Sequence, residues 1–124
     1  MNYNSLCNDI FALDKDIRFT GVCDCTGKIK YGGTREGLIS LLSPDEEQKS
    51  NLLALERWRL YHRLEGKTGR VRYAMEEYEK VKTVTIALPD EHLLLVSLAV
   101  DSDHGKIIER IIKLVLSQYM KDFL

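Results

Sequence analysis

The stretch Gly32-Gly33-Thr34-Arg35-Glu36-Gly37 is the first whose residue types and spacing could do chemistry. Successive backbone amides freed by glycine, followed by a basic side chain, can cradle a phosphate or a carboxylate. The stretch lacks the Gly-Lys-Ser/Thr ending of a P-loop and does not match the G-x-G-x-x-G dinucleotide fingerprint. The competing reading is a strand-to-helix connection in which Arg35 pairs with a helix carboxylate, and that reading is preferred. Arg35 with Arg57 remains the candidate pair for an anionic ligand.

A second cluster gathers Arg57, Trp58, Arg59, His62, Arg63, Lys67, Arg70 and Arg72, with Tyr61 and Tyr73 interleaved. Basic and aromatic residues together can bind nucleic acid by neutralising phosphates and stacking on bases. Glu56 and Glu65 interrupt the run, so a solvated, charge-paired helix face is preferred and nucleic acid is not the expected partner. The acidic run Glu76-Glu77-x-Glu79 offers the opposite charge. A two-fold partner could bring the two together, because such an interface must be self-complementary.

Catalysis has no positive support. His62, His92 and His104 fall on a helix, a turn and a helix start, with no pattern of nucleophile, base and orienting acid. His104 beside Asp101 and Asp103 could bind a metal, but a helix cap is the preferred reading. The acidic pairs Asp14/Asp16 and Asp90/Glu91 lie at turns. Cys7 falls in a helical pattern, and Cys23 and Cys25 share one face of a strand. An odd count, with no second Cys or His pair at ligand spacing, argues for buried, reduced thiols over a disulfide or metal framework. The expected catalytic, cofactor and metal sites are therefore none.

The elements that must position these residues are organised around 93–100, Leu-Leu-Leu-Val-Ser-Leu-Ala-Val. This run is too short to cross a membrane and does not alternate as a half-wet strand would. It reads as a central strand covered on both faces. A 124-residue chain with 44% apolar and 30% charged residues is one soluble domain able to bury its own core, residues 1–124. A net charge of −1 excludes a polyelectrolyte built for nucleic acid or acidic lipid. With no signal-peptide layout and no membrane span, the expected address is the cytoplasm.

In chain order, 4–17 predicts a helix with Leu6, Ile10, Leu13 and Ile17 as its stripe, capped by Asn4 or Ser5. Period-two patterns over 18–25 and 28–31 predict a hairpin, closed at Thr26-Gly27 and stopped by Gly32-Gly33. The segment 34–42 reads as a loop with a short helical turn. Ser43-Pro44-Asp45-Glu46 is a strong helix start, with a capping serine, proline at the first position and glutamate three residues on. That helix is expected to run to about Glu65, with Gly66 as its stop. Its expected buried stripe is Leu53, Leu60 and Leu64, with Ala54 and Tyr61 alongside and Trp58 near the edge. Three strands follow, over 71–80, 82–88 and from 93. The first is charged at its end, as an edge strand should be. A last helix buries Ile107, Ile108, Ile111, Ile112, Val115 and Tyr119.

The order helix, two strands, helix, three strands, helix resembles the roadblock, longin and profilin-like group. The fold expected is an α/β (α+β) domain with a five-stranded, largely antiparallel sheet and helices on both faces. The stretches Tyr31-Gly32-Gly33-x-Arg35-Glu36-Gly37, Arg57-Trp58 and Tyr73-Ala74-Met75-x-Glu77-Tyr78-Glu79-Lys80 resemble an uncharacterised family of small proteins from ammonia-oxidising thaumarchaeal archaea. The roadblock-like resemblance implies a non-enzymatic, dimeric interaction module, with a protein partner such as a small GTPase. Trp58, Glu76, Tyr78 and Lys80 are the candidate interface. The alternative is a profilin/PAS-like sensor of an anionic small molecule, using Arg35 and Arg57.

Overall fold

The computed structural model describes residues 2–119. The elements are α1 (Tyr3–Phe11), β1 (Ile17–Cys23), β2 (Ile29–Thr34), α2 (Pro44–Thr68), β3 (Ala74–Glu77), β4 (Val81–Leu88), β5 (His92–Ala99) and α3 (His104–Leu114), with a π-helical turn at Val115–Tyr119. This is the expected order. The strands form one sheet in the order β2-β1-β5-β4-β3, every neighbouring pair antiparallel.

The central strand is β5, and its alternation sorts the core. Leu94, Val96 and Leu98 point to one face, where they pack with Leu6 and Ile10 of α1 and Ile107, Ile108 and Ile111 of α3. Leu93 and Leu95 point to the other, beneath Ala54 and Leu55 of α2. Both faces are therefore covered along 93–96, which is why the sequence there does not alternate. The first and third helices share one face and the second takes the other, as expected.

Several boundaries differ from the sequence reading. The first helix is capped by Asn2, whose side chain accepts from the Ser5 amide at 3.0 Å, and it ends at Phe11. Asp14 then accepts from the Asp16 amide at 2.8 Å, a local turn that competes with further helix. Leu13 and Ile17 are thus outside it. β1 stops at Cys23, so Cys25 lies in the turn and is exposed, while Cys7 and Cys23 are buried. The glycine pair does not stop β2 but forms part of it. Gly32 has φ 81°, and a Cβ there would stand 2.1 Å from the Thr20 carbonyl oxygen and 2.9 Å from Cys7 Sγ. Glycine is required there by close packing, not to cradle an anion.

Helix α2 has the predicted capping box on Ser43 and Glu46, but runs to Thr68 with Gly69 as its cap. Of its predicted buried stripe Ala54 is buried but the three leucines are not. Asn51, Ala54 and Leu55 are buried and Trp58 packs beside them, whereas Leu53, Leu60 and Leu64 are exposed. Asn51 and Ala54 are small enough to let the helix lie close to the sheet. Periodicity marks a stripe but not what covers it. β3 is shorter than predicted, leaving Val71 and Tyr73 before it and Tyr78, Glu79 and Lys80 in the turn that follows.

At the far end of β4, buried Lys82 donates to the Ser102 carbonyl at 2.9 Å and lies 2.8 Å from His104 Nδ1. Asp103 caps α3 through the Lys106 amide. An ammonium beside His104 disfavours a cation there, so this corner is a clamp between β4 and α3. No helix among the described residues is long and apolar enough to cross a membrane.

Candidate functional site

Helix α2 is pinned along both flanks. On one side Gln48 donates to the Thr26 carbonyl at 3.0 Å and Asn51 to the Gly27 carbonyl at 2.9 Å, fixing the helix to the β1–β2 turn. On the other, Arg57 pairs with Glu76 of β3 at 3.1 Å. Underneath, the Trp58 indole donates to Thr85 Oγ1 at 3.2 Å and meets Tyr61 edge-on at 5.5 Å. Trp58 therefore faces the sheet. What remains on top is a line of leucines at seven- and four-residue steps: Leu53, Leu60 and Leu64 are 64%, 48% and 55% exposed.

The line runs beside the open edge of the sheet, since β3 has a strand on only one side. Glu76 at that edge is the hub. Besides Arg57, it accepts from the Tyr78 phenol at 3.2 Å and from Thr83 at 3.5 Å. Burial, then the neighbouring Glu76 charge, raises the Tyr78 phenol above its ordinary value. Lys80 is exposed in the following turn. Of the sequence candidates, Arg57, Glu76 and Tyr78 are brought together here, with Lys80 nearby and Trp58 turned inward.

Arg35 is elsewhere and fully engaged. Its Nε donates to the Ile17 carbonyl at 2.6 Å, and its Nη2 donates to those of Phe11 and Asp14, both at 2.8 Å. The guanidinium also lies 4.9 Å from the centre of the Phe11 ring. It thus caps the C-terminal end of α1 and ties the α1–β1 connection to the end of β2. It partners carbonyls, not a helix carboxylate, and does not line the cavity that Arg57 lines.

That cavity, about 470 Å³, lies between the N-terminal half of α2, the loop 36–42 and the α2 face of β1, β5 and β4. Phe19, Leu41, Leu42, Leu53, Ala54 and Leu95 supply its apolar wall, so Leu53 belongs both to the leucine line and to the cavity rim, and Thr83, Thr85 and Ser97 supply its hydroxyls. Its charged lining is three carboxylates, Glu46, Glu47 and Glu76, against the guanidiniums of Arg18 and Arg57. Glu46 is held in the capping box and Glu76 by Arg57. Sequence reasoning does not single out Glu47, although the spacing Glu47, Asn51, Ala54, Trp58 places it at the head of the sheet-facing stripe.

The basic segment beyond Arg57 lines a second groove with Trp58, Arg59, His62, Arg63, Arg72 and His92. Arg59 pairs with Glu56 at 3.5 Å, an ion pair of the kind expected on this face, and His62 Nδ1 lies 3.0 Å from Glu65. Burial pushes the Cys23 thiol up to about 11 and raises Cys7, so neither carries the thiolate a nucleophile needs. Among the described residues no cluster of three or more His, Cys, Asp or Glu could hold a metal ion.

No family model matches the chain, and no curated protein matches it either. Solved structures do. MglB of Myxococcus xanthus has a TM-score of 0.68 at 15% identity, covering 98% of this chain and 94% of that one. A roadblock/LC7 domain from Streptomyces avermitilis has 0.63 at 16%, covering 93% and 95%. Profilin of Schizosaccharomyces pombe has 0.60 at 13%, covering 98% of both. The chain has the roadblock/profilin-like fold.

Proposed function

We propose that this protein is a non-enzymatic interaction module that self-associates about a two-fold axis through α2 and the edge of β3. The observation that carries the reading is the exposed leucine line of α2 beside an unpaired strand edge. Large leucines are held in water by a helix that is pinned on both flanks, so no rotation of α2 hides them. An exposed apolar line of this kind marks an interface.

The stripe is self-complementary. Antiparallel pairing of two α2 helices about a point between Glu56 and Arg57 sets Leu53 against Leu60 and Glu46 against Lys67. Both relations repeat across the axis, as a two-fold contact requires. Burying a leucine contributes roughly 1.5–3 kcal/mol, so the leucines of two protomers supply most of the association energy. Glu76, Tyr78 and Lys80 flank the seam, and the β3 main chain is open for strand pairing. The combined sheet and helix surface would then receive a protein partner. By likeness of fold we take this to be a small GTPase, acting in the cytoplasm. The signature stretches direct the search for it to ammonia-oxidising archaea.

The test is sedimentation velocity across micromolar concentrations, comparing the wild type with Leu60→Glu. The expected result is a wild-type dimer and a folded monomeric variant with unchanged circular dichroism. A wild type that stays monomeric throughout the range overturns the reading.

A second reading is favoured by the cavity under loop 36–42, whose volume suits a small-molecule sensor. Its acidic lining and the engagement of Arg35 with carbonyls point away from an anionic ligand.

A further inference from the structure

We propose that the cavity beneath residues 36–42 binds a small organic amine with an apolar body. Glu47 holds the ammonium, and Phe19, Leu41, Ala54 and Leu95 pack the body. The inference deepens the sensor reading and does not depend on self-association.

Glu47 is the reason for the choice of charge. It shares the sheet-facing side of α2 with Asn51, Ala54 and Trp58, each of which is satisfied: Asn51 by the Gly27 carbonyl, Ala54 by packing, Trp58 by Thr85. No side chain among the described residues pairs with the Glu47 carboxylate, which lines the cavity half-buried. A carboxylate withdrawn from water without a partner is costly, and a bound ammonium removes that cost. Glu47 lies in the first turn of α2 with Asp45 and Glu46, where the helix end also favours a carboxylate. Glu46 is engaged in the Ser43 capping box, whereas Glu47 faces the cavity, and burial raises its carboxyl above the ordinary value.

The loop gives the site a cover. At one end, the Arg35 amide donates to the Arg18 carbonyl at 2.7 Å and the Arg35 side chain holds three carbonyls. At the other, the Ser43 capping box fixes the start of α2. Between these pins Gly37 has φ 87°, which lets the chain turn back over the cavity. Leu41 and Leu42 line the cavity although 55% and 44% exposed, and Ile39 is 85% exposed. Arg18 reaches only the Ile39 carbonyl, at 3.5 Å. An apolar body in the cavity would bury these side chains as the strap settles on it.

The experiment measures binding to the full chain by calorimetry, using butylamine, phenethylamine and tryptamine. The controls are 3-phenylpropionate and 2-phenylethanol, which share the phenethyl body. The expected result is saturable binding of at least one amine, at least about tenfold weaker binding of the matched acid and alcohol, and at least about tenfold loss with Glu47→Gln. Because Glu47→Gln removes an unpaired charge, its unliganded melting temperature should equal or exceed the wild type's, which separates lost binding from lost fold. Equal binding of amine, acid and alcohol would show an apolar cavity without charge selection and overturn the proposal. So would amine binding that survives Glu47→Gln, or no binding by any amine to millimolar concentration. Sedimentation of the same samples keeps this result apart from the association reading, since a dimer that binds no amine fails only this inference.

Discussion

On the face covered by α1 and α3, Leu94, Val96 and Leu98 of β5 meet a continuous layer of leucine and isoleucine, with Leu6, Ile10, Ile17 and Ile111 fully enclosed. On the α2 face the buried set is Cys23, Ala54, Leu55, Leu93 and Leu95, and half the helix stands over a cavity lined by three carboxylates. Leu55 and Trp58 of α2 pack toward the sheet, but Leu53, Leu60 and Leu64 stand exposed. One side of the sheet holds the fold together. The other carries what is left over from folding: a partly unfilled space, an unpaired carboxylate and an exposed leucine line. Natural proteins place such costs where a ligand or partner relieves them.

The contrast can be tested with one kind of substitution on both sides. Leu94→Ala should remove about 2–5 kcal/mol of stability, a large share of a small domain's roughly 5–15 kcal/mol. Leu60→Ala deletes the same atoms from a side chain 48% exposed and should leave the unfolding free energy of the monomeric protein within about 0.5 kcal/mol of wild type. Urea denaturation of both variants at a dilution where any dimer dissociates is the measurement. Similar losses at the two positions would show that the α2 leucines are part of the core.

Arg35 comes next in size, because it joins the two sides of the comparison. Its guanidinium serves three carbonyls from α1 and its exit, while its backbone starts the strap over the cavity. Hydrogen bonds to charged groups contribute about 1.5–3 kcal/mol each, and lysine lacks the planar fork to reach three acceptors. Arg35→Lys should therefore lower the urea midpoint by about 2 kcal/mol in stability. Hydrogen exchange should show the loss as earlier opening at 11–18 and 35–42, with β4 and β5 unchanged. A variant as stable as wild type would mean that the three contacts are not maintained together in solution.

How much of this was legible in the sequence follows the same division. Where burial is two-sided and dense, the pattern sufficed: 93–99 lie in the central strand, Ile107, Ile108 and Ile111 of α3 are buried, and the Ser43 start of α2 is where its capping residues put it. Where one stripe had to be chosen over another, it failed. α2 carries leucines on one side and Glu47, Asn51, Ala54 and Trp58 on the opposite side, and hydropathy favours the leucines. The small residues won because close approach of helix to sheet, fixed by the Asn51 and Trp58 hydrogen bonds, outweighs side-chain size. Arg35 was legible as a residue in use but not in its role, because its side chain's acceptors are carbonyls 18 to 24 positions earlier, and main-chain groups leave no mark in a sequence. Gly32 was read for backbone freedom, which its φ of 81° uses, but not for its missing Cβ, which makes room for Thr20 and Cys7.

The smallest expected effect sharpens the comparison most, because it reads the α2 face without any ligand. Burial raises the Glu47 carboxyl above its unfolded value, with no opposing cause resolved. A carboxyl raised on folding favours the folded state below its unfolded pKa, and that advantage is lost as pH rises through the folded one. Glu46, one residue earlier, has the reverse sign: hydrogen bonds from Ser43 lower it, so its contribution is lost as pH falls. Raw stability against pH mixes the two. The difference between wild type and Glu47→Gln isolates one, because Arg18, Glu46, Arg57 and Glu76, the other charged groups lining the cavity, are common to both chains. Urea midpoints taken between pH 4 and 7 should show the variant gaining on wild type as pH rises, then levelling once Glu47 is ionised in the folded chain. A flat difference would mean that water reaches this carboxylate freely. The α2 face would then differ from the other in packing alone, not in holding a charge that wants a partner.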